Sequence, residues 1–146
     1  MDFQNLDPQK LIPQFQKLLL TFEGRIGRQD FWIGMITVAV VNLVIGGILG
    51  WISSFLSLLV TLVLYYPVYC VSLKRSNDLD YPQIYVQVLV AVSIAFLFVT
   101  QVGFLSWVLL PVLLIASVAA LVLLGFVQGT NGPNRYGPDP LTTPNA

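Results

Sequence analysis

Three short segments of this 146-residue chain hold eight of its fourteen charged residues. The first is G-R-I-G-R-Q-D-F-W, Gly24 to Trp32, with Arg25, Arg28 and Asp30. The second contains Lys74, Arg75, Asn77 and Asp78, and the third Asn134, Arg135, Tyr136 and Asp139. Arginine suits bidentate pairing with carboxylate or phosphate. Arg25 and Arg28 would share a face in a helical turn. Two chemistries fit such a set. In one, Arg25, Arg28 and Arg75 bind an anion, most simply a lipid phosphate. In the other, the charges pair internally, anchor helix ends and set topology, which is the routine role of arginine beside a membrane span.

Signatures of catalysis are missing. Histidine is absent, which removes the usual general base near neutral pH and the commonest metal ligand. There is no nucleophile with a histidine partner and no phosphate loop. Asp78, Asp80 and Asp139 could in principle hold a divalent cation through oxygen ligands. The D-L-D spacing is a weak signal, and solvated or arginine-paired carboxylates are more ordinary. No metal, no cofactor and no enzymatic activity are therefore expected. The single Cys70 lies in an apolar run and can form no internal disulfide. Seven basic and seven acidic residues cancel, giving no hint of a nucleic-acid partner.

The elements that position these segments follow from where charge is missing. No Asp, Glu, Lys or Arg occurs from Phe31 to Leu73, nor from Tyr81 to Asn134. Hydrophobic residues make up 56% of the chain and charged residues 10%, against about 25% charged in soluble domains. Uncharged runs this long need lipid as their solvent. About 20 apolar residues cross a hydrocarbon core of roughly 30 Å. The runs lack strict alternation, so helices are expected rather than barrel strands. The expected fold is an all-α membrane protein, a four-transmembrane-helix bundle preceded by a short amphipathic surface helix. The spans fall at about 31–53, 55–73, 83–100 and 104–127. A leader, 1–30, precedes them, and a Gly/Pro/Asn-rich tail, 128–146, follows.

Within the leader, Pro13 to Thr21 reads as a helix with Pro13 at its first position and an apolar stripe of Phe15, Leu18, Leu19 and Phe22. It lies at the membrane surface or packs on the bundle end. Phe31 and Trp32 stand at the entry to the first span, where aromatic rings favour the interface. Tyr65, Tyr66 and Tyr69 read as a second aromatic belt, with Pro67 as a kink candidate. Ser53 and Ser54 mark a tight hairpin. Lys74 to Tyr81 reads as a charged loop, and Thr100 to Gly103 as a turn. Pro111 either kinks the fourth span or starts it late. The tail G-T-N-G-P-N-R-Y-G-P-D-P favours consecutive turns.

Four crossings put the leader, the second segment and the tail on one side. Every Lys and Arg lies there: Lys10, Lys17, Arg25, Arg28, Lys74, Arg75 and Arg135. The positive-inside rule makes that side, with both termini, cytoplasmic. No ionisable residue lies at depth, which argues against a proton-coupled transporter acting alone. Asn42 or Gln87 could line a narrow path, but interhelical hydrogen bonding is the plainer use. Gly46 and Gly50, like Ala116 and Ala120, form small-x-x-x-small pairs that permit either homodimerisation or packing within the bundle.

The three segments also resemble a known family. Gly24-Arg25, Arg28 and Phe31-Trp32 are similar to its opening G-R-x-x-R-x-x-aromatic-Trp motif. Lys74-Arg75-Ser76-Asn77-Asp78 resembles its R-R-L-H-D motif, and the tail resembles its closing G-x-x-G-x-N-x-aromatic-G-x-D-P signature. The family is the bacterial domain of unknown function 805, with its YhaH- and YhaI-like inner-membrane proteins. The resemblance runs from Phe22 to Pro140. Asn77 stands where the family usually has histidine and Lys74 where it has arginine, so a role resting on a titrating imidazole loses its carrier. The resemblance implies a small bacterial inner-membrane protein and no particular activity.

The expectation is then a non-enzymatic envelope protein binding lipid or a protein partner through the cytoplasmic cluster of Arg25, Arg28, Asp30, Arg75, Asn77, Asp78, Asn134, Arg135 and Asp139. Membrane lipids are the expected partners, with a homo-oligomer or a membrane protein as further possibilities. An oligomeric channel or transporter is the alternative, and a lipid-head-group enzyme the least favoured reading.

Overall fold

The computed structural model describes residues 8–99 and 103–142. The start of the polar leader, the turn at 100–102 with Gln101, and the last residues of the tail lie outside the described residues. Six α-helices are described: α1 (Pro8–Leu20), α2 (Arg28–Val41), α3 (Gly47–Ile52), α4 (Ser54–Asp78), α5 (Ile84–Val99) and α6 (Gly103–Phe126). A π-helical turn, Asn42–Gly46, joins α2 to α3, so that Arg28–Ile52 forms one continuous rod of 25 residues. Among the described residues there is no strand, only a single bridge between Asn134 and Gly137.

Three helical stretches are long and apolar enough to cross a membrane: the α2–α3 rod, α4 and α6. Twenty-five residues rise about 37 Å, enough for a core of roughly 30 Å. The shorter apolar α5 has 16 residues. Ser53 alone separates α3 from α4. Its extended backbone breaks the helix, and its hydroxyl accepts the N–H of Phe55 at 3.3 Å, capping α4.

Two boundaries differ from the sequence reading. The first helix begins at Pro8, not Pro13. Pro8 holds the first position, where its missing N–H is harmless. Leu11 and Ile12 then extend the apolar stripe backwards, and Pro13 sits exposed inside the helix. The second boundary matters more. Lys74 to Asp78 is not loop but the last stretch of α4. The chain leaves the helix at Leu79, whose N–H bonds Arg75 O at 3.2 Å, and turns at Asp80 in the left-handed region. Charged residues continue a helix here because every one of them from Lys74 to Asp78 is buried against other elements. Pro67 and Pro111 both lie inside continuous helices, so the fourth helix does not start at Pro111.

Helix α4 is the axis of the molecule and touches every other helix. The apolar core gathers Leu18 of α1, Ile26, Phe31 of α2, Leu124 of α6 and Leu79 around Val71 of α4. Close approach of α2 to α4 requires Gly34, where an added Cβ would stand 2.9 Å from Val71 Cγ2. Phe31, expected beside Trp32 at an interface, is fully buried in this core. Trp32 packs on it and donates Nε1–H to Gly125 O at 3.2 Å. Tyr66 and Tyr69 pack edge-on against Phe22, and Tyr66 donates to Leu20 O at 3.1 Å, tying α1 to α4.

This core occupies one end of the bundle. Away from it the apolar side chains point outward: Leu43 is 77% exposed, Trp51 95% and Trp107 82%. Water would make so large an apolar surface prohibitive; lipid does not.

Candidate functional site

The extra turn of α4 builds the site. Arg75 and Asp78, three residues apart, share a face of that helix, and the Arg75 side chain is entirely buried. Its guanidinium reaches in several directions. Nε donates to Leu124 O at 2.7 Å, Nη2 to Val127 O at 2.5 Å, and Nη1 to Ile26 O at 3.3 Å and to the Asp78 carboxylate. The Leu124 carbonyl belongs to the last turn of α6 and Val127 O lies just past it. Carbonyls there lack intrahelical partners and carry the negative end of the helix dipole.

Arg25 comes to the same carboxylate from the other side. Nε donates to Asp78 Oδ1 at 3.1 Å. Its remaining donors spread over the tail: Nη1 to Gly132 O at 2.7 Å and Gly137 O at 3.2 Å, Nη2 to Thr130 O at 2.6 Å. One carboxylate thus joins two guanidinium groups, and main-chain carbonyls absorb the surplus positive charge. Gly129 passes so close that an added methyl would collide with the Asp78 carboxylate.

Asn77 completes the knot. Its Nδ2 donates to Gly24 O at 3.1 Å, and its Oδ1 accepts from Gln83 Nε2 at 3.0 Å. Asn134 Nδ2 donates to Asn77 O at 2.9 Å, and Thr130 N–H donates to Asp78 O at 2.8 Å. A turn across Asn134 and Gly137, closed by main-chain bonds of 3.0 and 3.1 Å, holds the tail in shape. Asp139 braces the tail: its carboxylate accepts Leu141 N–H and Gly132 N–H, both at 2.9 Å. Those two bonds hold the Asp139 carboxyl below its ordinary range.

Of the nine residues singled out from sequence, Arg25, Arg75, Asn77, Asp78 and Asn134 meet in one hydrogen-bonded network, with Asp139 bracing its tail. The other three lie on the rim. Arg28 is exposed and only approaches Phe126 O, at 3.5 Å. Asp30 is half-buried in the first turn of α2. Arg135 is exposed, pairs with Asp80 at 2.8 Å and lies over the Tyr136 ring. The three aspartates weighed for a cation do not converge: Asp78 faces arginines, Asp80 faces Arg135, and Asp139 faces main-chain N–H groups. No cluster able to hold a metal occurs among the described residues.

Sequence reasoning noted Lys74 in the second segment but left it out of the cluster, and it missed Thr130. Buried Lys74 donates Nζ–H to Lys17 O at 2.7 Å and Leu18 O at 2.6 Å, capping the end of α1. Its place in the K-R pair was a usable signal; Thr130 offered none. Lys74→Met should release α1 at a local cost of about 1–3 kcal/mol. Hydrogen exchange in detergent would then quicken across 8–20 while the amides of α4 stay protected. Unchanged exchange in α1 would refute the capping role.

A helical bundle with three apolar spans, closed at one end by a buried arginine–aspartate knot, defines the class as a polytopic membrane protein. Residues 19–138 match the family profile described as "Protein of unknown function (DUF805)", and the chain belongs to that family. It is 34% identical over 125 residues to "Inner membrane protein YhaI" of Escherichia coli (strain K12), covering 82% of this chain and 85% of the relative. The same values hold for the protein of that name from Escherichia coli O157:H7. No solved structure matches. The matched region contains the whole knot from Arg25 to Gly137.

Proposed function

We propose that this chain is a small, non-enzymatic protein of the bacterial inner membrane that binds lipid at its cytoplasmic surface. It crosses the membrane four times, with both termini in the cytoplasm. Helix α5 serves as the third crossing in chain order; its 16 residues rise about 24 Å, so it sits in a locally thinned bilayer or is extended by flanking residues. An even count keeps Arg135 on the side of the other cations.

The observation that carries the lipid reading is the apolar face of α1. Leu11, Ile12, Phe15, Leu19 and Leu20, with Gln16 among them, line an open groove of about 450 Å³ to which no other described element contributes. Lys17 is exposed on the same helix and Arg28 at the start of α2. An amphipathic helix with this division lies in the interface, acyl chains against its apolar face and cations towards phosphate. The donors of Arg25 and Arg75 are already engaged by Asp78 and main-chain carbonyls. The knot therefore acts as the rigid base of this face, and lipid phosphate is left to the exposed cations.

Native mass spectrometry of the purified protein titrated with phosphatidylglycerol or phosphatidylcholine tests the proposal. The wild type should retain the anionic lipid preferentially. Phe15→Glu should keep its thermal midpoint and lose that retention. Equal retention of both lipids, or a variant that binds as the wild type does, would overturn it. Topology is tested separately: cysteines at Ser53 and at Thr142 should react with an impermeant reagent from opposite sides of the membrane.

A further inference from the structure

The α2–α3 rod carries one strongly polar side chain far from either end. Asn42 stands fourteen residues after Arg28 and ten before Ile52, or about 21 and 15 Å along the axis. That depth is hydrocarbon. Its Oδ1 accepts from Thr61 Oγ1 of α4 at 3.3 Å. Thr61 is the one described side chain that bonds the carboxamide, through Oδ1 and not Nδ2, and Asn42 is half-exposed at the surface of the bundle. Lipid tails offer no acceptor, so an amide left this way is costly.

The helix is rebuilt at that residue. The π-helical turn begins at Asn42 and ends at Gly46, where an added Cβ would stand 2.8 Å from Asn42 Oδ1. Turns of this kind interrupt α-helices frequently at functional sites. Beside Asn42, Ala39, Leu43 and Gly47 are all exposed, and nothing lies within 4 Å of where a Gly47 Cβ would be. A second helix can come close here.

We propose that Asn42 is the centre of a self-association surface, on which a second copy of this chain docks α2–α3 against α2–α3 about a two-fold axis. A carboxamide carries both donor and acceptor, so two of them related by a two-fold axis satisfy each other without any other partner. A second copy also meets the need at the same depth in the membrane. Interhelical hydrogen bonds of side-chain amides are a recognised source of such association. The inference rests on α2–α3 lying in lipid and stands apart from the lipid-binding proposal.

The test is the monomer–dimer equilibrium of the full chain in phosphatidylcholine liposomes, read by single-molecule photobleaching over a range of protein-to-lipid ratios. The wild type should dimerise. Asn42→Leu should weaken association roughly tenfold, while Asn42→Gln, which keeps the amide, should stay close to the wild type. A wild type that is monomeric throughout, or an Asn42→Leu variant that dimerises unchanged, overturns the proposal. Cross-linking in the otherwise native chain gives an independent readout. Leu43→Cys should form a disulfide dimer on oxidation, and Ile115→Cys on α6 should not. Cys70 is fully buried and does not compete. Cross-linking at Ile115 and not at Leu43 would place the contact elsewhere and refute it.

Discussion

Replacing Arg75 with methionine should cost about 3–5 kcal/mol of stability and undo the polar end of the bundle. The side chain is wholly buried, and its guanidinium ties α4 to the joint before α2, through Ile26 O, and to the end of α6, through Leu124 O and Val127 O. Methionine fills much of the space and supplies no donor. Three carbonyls and one oxygen of Asp78 then lose their partner, all but Val127 O in the buried core, and buried unsatisfied groups bear their full desolvation cost. Arg75→Lys should rescue little. One ammonium cannot span acceptors that the planar fork reaches in three directions. Thermal unfolding in detergent, with yield from the membrane fraction, checks both variants. A melting midpoint for Arg75→Met within a degree or two of the wild type would mean that the buried guanidinium does not hold the bundle together.

Asp78→Asn should be about as damaging, for the opposite reason. The substitution preserves shape but removes the one charge that Arg25 and Arg75 share. Two buried cations would then lose their shared counter-charge, leaving main-chain carbonyls and, for Arg25, the Asp139 carboxylate to offset them; breaking a buried pair in this way costs about 3–5 kcal/mol. The tail should loosen first, since Arg25 holds Thr130, Gly132 and Gly137 only while Asp78 holds Arg25. Protease cleavage within 128–142 should accelerate in Asp78→Asn before α4 or α6 unfolds. Because Arg75 and Asp78 belong to one network, the double variant Arg75→Met, Asp78→Leu should be less unstable than the sum of the single losses. Strict additivity would show that the two act independently.

These expectations give the arginine cluster a different emphasis from the one its composition suggests. Arginines beside membrane spans invite an anion. Here the two central ones are turned inward and consumed by peptide carbonyls, and the exposed surface is left to Arg28, Arg135 and Lys17. The tail is as much part of the fold as any helix, because its carbonyls are the acceptors that let Arg25 be buried.

Several features were legible in the sequence because they depend on composition alone. Two uncharged runs dictate lipid as solvent, whatever packs against what. Helices follow because a lipid-exposed backbone must satisfy itself, and the absence of every cation from the two runs follows from the cost of burying charge in hydrocarbon. Glycine, proline and asparagine in the tail forbid a long helix regardless of context. The meeting of Arg25, Arg75, Asn77, Asp78 and Asn134 was legible only as a gathering on one side, not as a network.

What the tertiary structure decided is everything that requires a distant partner. Lys74 to Asp78 carries the composition of a loop, and it is helix because α1, the Gly24–Ile26 joint and the tail arrive to accept its hydrogen bonds. Phe31 looks like an interfacial ring and is core, because α4 and α6 close over it. Gly129 looks like a turn residue and is a slot for a carboxylate 51 positions away in the chain. Local preferences amount to a fraction of a kcal/mol per residue, whereas leaving a buried charge unpaired costs several. Where the two conflict, the partners across the fold prevail, and a single chain of letters does not record which partners those are.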